Sequence, residues 1–175
     1  QSNTYPADIM LVAAMNPCPC GYYGSTKCIC SEHEIKQYSQ RISGPIMDRM
    51  DIQKYLGRVD FSHKADAKPS ASSRELRAQV LAARERQLRR FAPYPGVLTN
   101  SQMDSNLVKV FCVLDSESDT LLRRAFDCHG FSARVYDKVL KLARTFADMD
   151  GSDDIQKPHL VHGLMSRDLD KGNSP

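Results

Sequence analysis

Four cysteines, Cys18, Cys20, Cys28 and Cys30, fall within thirteen residues in the spacing C-x-C-x7-C-x-C. No other feature of the chain constrains its fold as tightly, because four thiolates this close suit one tetrahedral ion. Gly21 and Gly24 give the connecting loop the backbone freedom to fold back on itself. Four protein ligands leave no open coordination position, so such an ion braces the loop and does not catalyse. Disulfides, which need an oxidising compartment, and idle thiols are the competing readings. The expectation is a structural zinc.

The tetrad follows an apolar run, Ile9-Met10-Leu11-Val12-Ala13-Ala14-Met15, that stops at Asn16-Pro17. A run without polar alternation reads as a strand buried on both faces, the habit of parallel sheets. Pro17 lacks an N–H and biases Asn16 towards extended backbone, so no helix starts there. Asn16 then stands at the carboxyl end of a strand, where open α/β sheets bind ligands and an amide can orient a water or touch a phosphate. A loop-capping asparagine is the alternative.

Downstream, Ser31 caps a short helix running to Arg41, with His33 a solvated residue of its first turn and not a fifth metal ligand. Gly44-Pro45 breaks and restarts the chain, with Pro45 at a first helical position. Residues 51–56 read as a further strand. A polar, aperiodic stretch around Pro69 reads as a linker. Ser72-x-x-Glu75 is a capping box that opens a helix to about Phe91. Leu76, Val80, Ala83, Gln87 and Leu88 lie near one face of it, and Arg74, Arg77, Arg84, Arg86, Arg89 and Arg90 on the other. Those arginines form either a solvated face paired with Glu75 and Glu85 or a DNA-facing stripe.

Further helices are expected over 107–112, from the Asp115 cap to Gly130, after Ser132, and from Pro158 to Leu164. The Ser132 helix carries Val135, Val139, Leu142, Ala143 and Phe146 at helical spacing. Residues 171–175 should fray. Cys112 and Cys128 sit in apolar helical contexts and read as core residues. The chain is 41% hydrophobic and 26% charged, which suits a soluble globular protein. A net charge of +3 is too small to argue nucleic-acid binding from charge alone. No apolar run approaches the roughly 20 residues needed to span a bilayer, so no membrane is expected. No signal peptide opens the chain, and the cysteine usage points to a reducing cytoplasm. The start, Gln1-Ser2-Asn3, reads as a cut within a longer protein.

Four motifs in order, LVAAMNPCPCG, the paired C-x-C, RISGPIMDRMD and SARVYDKVLKLARTFAD, resemble the magnesium-chelatase-like AAA+ ATPases of the competence protein ComM (YifB) group. The resemblance implies a mostly α chain with a partial α/β part. Residues 1–60 would be the end of an AAA+ core, with the cysteine loop and its last strands. Residues 61–71 would be a linker, and residues 72–171 a helical lid bundle.

It further implies that Asn16 is the sensor-1 amide near the γ-phosphate, that Arg49 is the arginine finger reaching a neighbouring subunit, and that Arg134 is the sensor-2 arginine of the lid. A guanidinium is always charged and matches phosphate oxygens in a bidentate fork. Read from the residues alone, a local salt bridge of Arg49 with Asp48 or Asp51 is the favoured reading. Arg134 at a helix start opposes the helix dipole, a mild cost that hints at a functional role. Arg41 and Arg144 also match family positions, without an assigned task.

ATP with Mg²⁺, a homo-oligomeric ring (a hexamer) and DNA as partner follow from the resemblance for the full-length protein. The implied activity is DNA branch migration in natural transformation, and nothing in the residues points to metal insertion into a tetrapyrrole. The chain has no G-x-x-x-x-G-K-[ST] phosphate loop, which the family carries upstream, so this C-terminal segment should be inactive alone. The rival reading is a non-enzymatic, zinc-braced module that binds nucleic acid or a protein through the cysteine loop and the arginine-rich helix.

Overall fold

The computed structural model describes residue 3 and residues 9–56 and 71–167. It is mostly helical: α1 (Glu32–Ser39), α2 (Gly44–Met47), α3 (Ser73–Phe91), a 3₁₀ turn (Asn100–Gln102), α4 (Ser105–Phe111), α5 (Ser116–His129), α6 (Ala133–Met149) and α7 (Lys157–Met165). The described residues up to Ile42 form one compact unit, and the described residues from Ser43 to Arg167 another. The segment 43–56 therefore belongs with the helices. The expected linker lies outside the described residues except for Ala71, as do the fraying tail and the last residues of the expected lid.

In the first unit, the expected strand over 9–15 does not form. Ile9, Met10, Leu11 and Val12 are exposed, and no ladder joins this segment to any described residue. Apolar composition states what a segment tends to bury, but a strand exists only where a second strand offers its N–H and C=O groups. The expected strand over 51–56, in the second unit, reduces to one parallel bridge between Gln53 and Arg167. Ile52 and Leu56 are exposed beside it.

Helix starts follow the capping chemistry. Ser31 and Ser72 each accept from the backbone N–H three residues on, while Glu34 and Glu75 accept from the cap's own N–H. Asp115 accepts from Ser118 N at 2.7 Å, and Asp104 starts α4 the same way through Leu107 N. These bonds satisfy donors that a helix start otherwise leaves orphaned. Backbone N–H bonds, with the cap hydroxyl adding to them, hold the Glu34 and Glu75 carboxyls below the usual carboxylate range. Ser132 departs from the pattern: its hydroxyl makes no cap bond and is buried without a partner. Gly130, at φ +61°, ends α5 in the left-handed conformation that glycine adopts without strain.

The core of the second unit gathers on α6. Val135, Val139, Ala143 and Ala147, spaced four apart, are all buried, and Leu122 of α5 and Leu160 of α7 pack there without exposure. Each of those leucines contributes about 1.5–3 kcal/mol by leaving water. Phe91, Phe111 and Tyr94 close one end through edge-to-face pairs with centroids 5.6 and 5.7 Å apart. Phe126, Phe131 and Tyr136 form a second aromatic cluster. Helices α6 and α7 cross at Gly163, where an added Cβ would stand 2.9 Å from the Val139 carbonyl oxygen. That crossing needs glycine because the obstacle is backbone.

Two expectations about faces are corrected. In α3 the buried residues are Ala83, Gln87 and Phe91, whereas Leu76, Val80 and Leu88 stay about half exposed. The buried line runs along Ala83, Gln87 and Phe91 in the second half of α3, so Leu76 and Val80 lie before it and Leu88 beside it. Cys112 is buried, and burial pushes its thiol up to about 12, so it stays neutral in the core. Cys128 is exposed near the end of α5 and is not a core residue.

Candidate functional site

The cysteine loop is built from tight turns. Gly21 N donates to Cys18 O at 3.0 Å, Ser25 N to Tyr22 O at 3.1 Å, and Cys28 N to Ser25 O at 3.0 Å. Gly21 and Gly24 hold φ of +79° and +75°, which other residues adopt only with strain. A Cβ on Gly21 would stand 3.6 Å from the Asn16 amide, an ordinary van der Waals contact, so the positive φ and not lack of space calls for glycine there.

These turns bring four sulfurs together: all lie within 4.8 Å of one another. The separations are 3.4 Å for Cys18–Cys20, 3.7 Å for Cys20–Cys28 and 3.9 Å for Cys18–Cys28. Tetrahedral zinc with Zn–S bonds near 2.3 Å sets ligand sulfurs about 3.8 Å apart. All six cysteines are free thiols, so the disulfide reading fails. Cys18 is fully buried and the other three members are partly buried.

The backbone N–H of Tyr22, and then that of Ile29, lower the Cys20 thiol to about 6. Cys30 accepts from the Cys20 N–H, but desolvation and its crowded sulfur neighbours outweigh that bond and push it up to about 12. The cluster thus favours a first thiolate and resists a full set of unshielded negative charges, which is the electrostatic situation a cation resolves. His33 is exposed on α1, and the four-cysteine cluster does not include it.

Asn16 is exposed, and its side chain packs over Gly21. Asn16 and the tetrad belong to the first unit, Arg49 and Arg134 to the second. Arg49 is exposed, and among the described residues its Nη1 donates only to Pro45 O, at 2.8 Å. The salt-bridge alternative is not formed among the described residues: Asp51 pairs with Lys138 of α6, and no ion pair joins Arg49 to Asp48. Arg134 is exposed at the start of α6 and makes no hydrogen bond or ion pair among the described residues. Among the described residues neither arginine meets a carboxylate, the state in which a guanidinium can receive phosphate oxygens.

The supporting residues are largely ones the sequence did not single out. The carbonyls of the turn carrying Arg49 are held from elsewhere in the unit. Lys138 Nζ donates to Arg49 O at 2.8 Å, Arg167 Nη1 to Met50 O at 2.5 Å, and Gln53 Nε2 to Met47 O at 2.8 Å. No local pattern links residues 47–50 to residues 138 and 167, so sequence reasoning could not pair them.

A second network fixes the lower half of α6. Asp148, fully buried, accepts from both terminal nitrogens of Arg90, from Asn100 Nδ2 at 2.8 Å and from Arg144 Nη2 at 3.2 Å. Arg144 also donates to Ser152 O and Asp153 O, which gives this buried arginine a structural task. Burial lowers its pKa and Asp148 opposes the shift. Arg90, read as surface, points inward with a side chain only 13% exposed.

Residues 70–167 match the family described as magnesium chelatase, subunit ChlI C-terminal, and residues 1–64 match magnesium chelatase, subunit ChlI. The chain is 37% identical over 170 residues to the uncharacterized protein YifB of Escherichia coli, covering 96% of this chain and 32% of that protein. It is 34% identical over 163 residues to the competence protein ComM of Haemophilus influenzae, covering 91% and 31%. The Salmonella typhimurium protein YifB is 32% identical over 172 residues, covering 96% and 32%. The chain thus spans about a third of the length of the curated relatives it matches.

Proposed function

The chain belongs to the magnesium chelatase ChlI family, and on that premise we propose that it is part of a ring-forming AAA+ ATPase of the ComM/YifB kind whose motor acts on DNA. The reading is carried by Arg49: an exposed guanidinium with no carboxylate partner among the described residues, on a turn whose backbone is pinned by Lys138, Arg167 and Gln53. A finger must be free at its tip and fixed at its base. In the ring, Arg49 stabilises charge developing on the nucleotide of the adjacent subunit, and Arg134 contacts the phosphates from the lid. Asn16 orients the attacking water. ATP and Mg²⁺ supply the phosphoryl group and its charge neutralisation; these residues supply placement and electrostatics.

The cysteine tetrad holds one zinc, which fixes the loop that follows Asn16. Its sulfur separations and lack of disulfides support this assignment. Among the described residues no helix is long and apolar enough to cross a membrane. A cytoplasmic hexamer fits the reading.

The decisive experiment measures ATP turnover of the full-length protein, with and without branched DNA. Arg49→Ala should cost about 10³–10⁵ in turnover while nucleotide binding stays nearly intact, since a finger acts in the transition state. Arg134→Ala should weaken both. The 175-residue chain alone should show no turnover. If Arg49→Ala hydrolyses ATP at the normal rate, the finger role is wrong. If the full-length protein shows no DNA-stimulated turnover while this chain alone binds DNA in a salt-dependent way, the non-enzymatic module is the better account.

A further inference from the structure

We propose that Lys138 and Arg167 are positioning residues for Arg49, gripping the backbone beneath it so that α6 and the end of α7 carry the finger as one body. This inference rests on the finger role given to Arg49 above. Among the described residues the guanidinium itself is held only by Pro45 O, one helical turn back. The backbone under it is held far more firmly. Lys138 Nζ donates to Arg49 O at 2.8 Å and pairs with the Asp51 carboxylate. Arg167, fully buried, donates to Met50 O at 2.5 Å and to Met47 O at 3.4 Å. Gln53 ties the same turn to the end of α7 through its N–H, 2.6 Å from Ser166 O.

Helix α2 is only four residues long, so its carbonyl ends need donors, and cations suit the C-terminal end of a helix. Capping alone asks only for some local donor or water. Here two cations arrive from positions more than eighty residues away in sequence, and one of them, Arg167, is fully buried. A buried guanidinium that reaches two carbonyls of one turn fixes where that turn stands.

Lys138 also has a telling place on its own helix. Arg134 lies four residues before it, hence on the same face of α6. The helix that presents one arginine to phosphates thus grips the carbonyl of the other. A shift of α6 on nucleotide binding at Arg134 would reach Arg49 through one side chain, linking a subunit's own site to the finger it lends its neighbour.

The test uses the full-length ring. Lys138→Met keeps the stem and removes the charge. Misplacing a reacting group by about 1 Å can cost on the order of 100-fold, so kcat should fall roughly 10- to 100-fold with ATP affinity unchanged within about twofold. Lys138→Arg should recover most of the loss. Rings mixing Lys138→Met subunits with subunits defective in their phosphate loop should regain activity, because one seam then pairs a sound loop with a sound finger. Mixing Lys138→Met with Arg49→Ala should not, because every finger is then impaired.

Hydrogen exchange at the amides of residues 48–51 supplies a readout independent of turnover, and it should quicken in Lys138→Met. Unchanged exchange, turnover within twofold of wild type while Arg49→Ala is inactive, or a loss that phosphate-loop mutants do not rescue would each overturn the inference. Quickened exchange together with normal turnover in Arg49→Ala would instead sink the finger role, and the positioning role with it, while leaving the grip as a fact of the fold.

Discussion

Asp148 is the residue whose loss should damage the helical unit most. Its carboxylate is fully buried and accepts from Arg90 twice, from Asn100 and from Arg144, whose side chain is itself only 3% exposed. Asp148→Ala leaves two guanidiniums beside each other with nothing between them to balance their charge. Removing one partner from a buried ion pair costs about 3–5 kcal/mol. That is a large share of the roughly 5–15 kcal/mol that holds a domain folded. With a urea slope of about 1–3 kcal/mol per molar, the unfolding midpoint should fall by about 2 M.

Asp148→Asn keeps the shape but not the charge, and turns an N–H₂ towards arginine donors, so it should cost nearly as much. Arg86→Ala is the internal control: its partner Asp153 is almost wholly solvated, and surface pairs contribute less than about 1 kcal/mol. Urea unfolding of the 175-residue chain, followed by helical circular dichroism, measures all three. If both Asp148 variants lose less than about 1 kcal/mol, the network is not what secures α3 to α6, and the reasoning fails.

Three further outcomes are expected. Gly163→Ala should destabilise by a net of about 1–3 kcal/mol despite the better helix propensity of alanine, because its Cβ would stand 2.9 Å from the Val139 carbonyl; an unchanged melting temperature would contradict this. Elemental analysis of protein purified without chelator should find about one zinc per chain, as four thiolate ligands require, and none after Cys18→Ser with Cys28→Ser. Zinc persisting in that double variant would rule out the site. Helix content should drop on acidification, because backbone N–H bonds lower the Glu34, Glu75 and Asp115 carboxyls in the folded chain. A depressed carboxyl stabilises above its unfolded value, near 4, and the contribution is lost as pH falls through the folded value. Circular dichroism from pH 5 to pH 2 should show this, with a flatter profile for Asp115→Asn.

Local chemistry was legible in the residues themselves. The starts of α1, α3 and α5 follow from Ser31, Ser72 and Asp115, because a cap bond forms within four residues and needs no distant partner. The four-sulfur cluster follows from spacing and two glycines for the same reason. The family signature was legible too, since it lies in short motifs. What the sequence could not decide were the questions that need a second surface. The apolar run over 9–15 gave no sign of whether a neighbouring strand would be there to receive it. The face of α3 was misjudged because its buried line runs only through Ala83, Gln87 and Phe91, which leaves Leu76, Val80 and Leu88 half exposed, and arginines in a row do not reveal that Arg90 turns inward to Asp148. Tertiary structure alone brought Lys138 and Arg167 to the carbonyls around Arg49, because a long side chain's partner is set by where the helices cross and not by its neighbours along the chain.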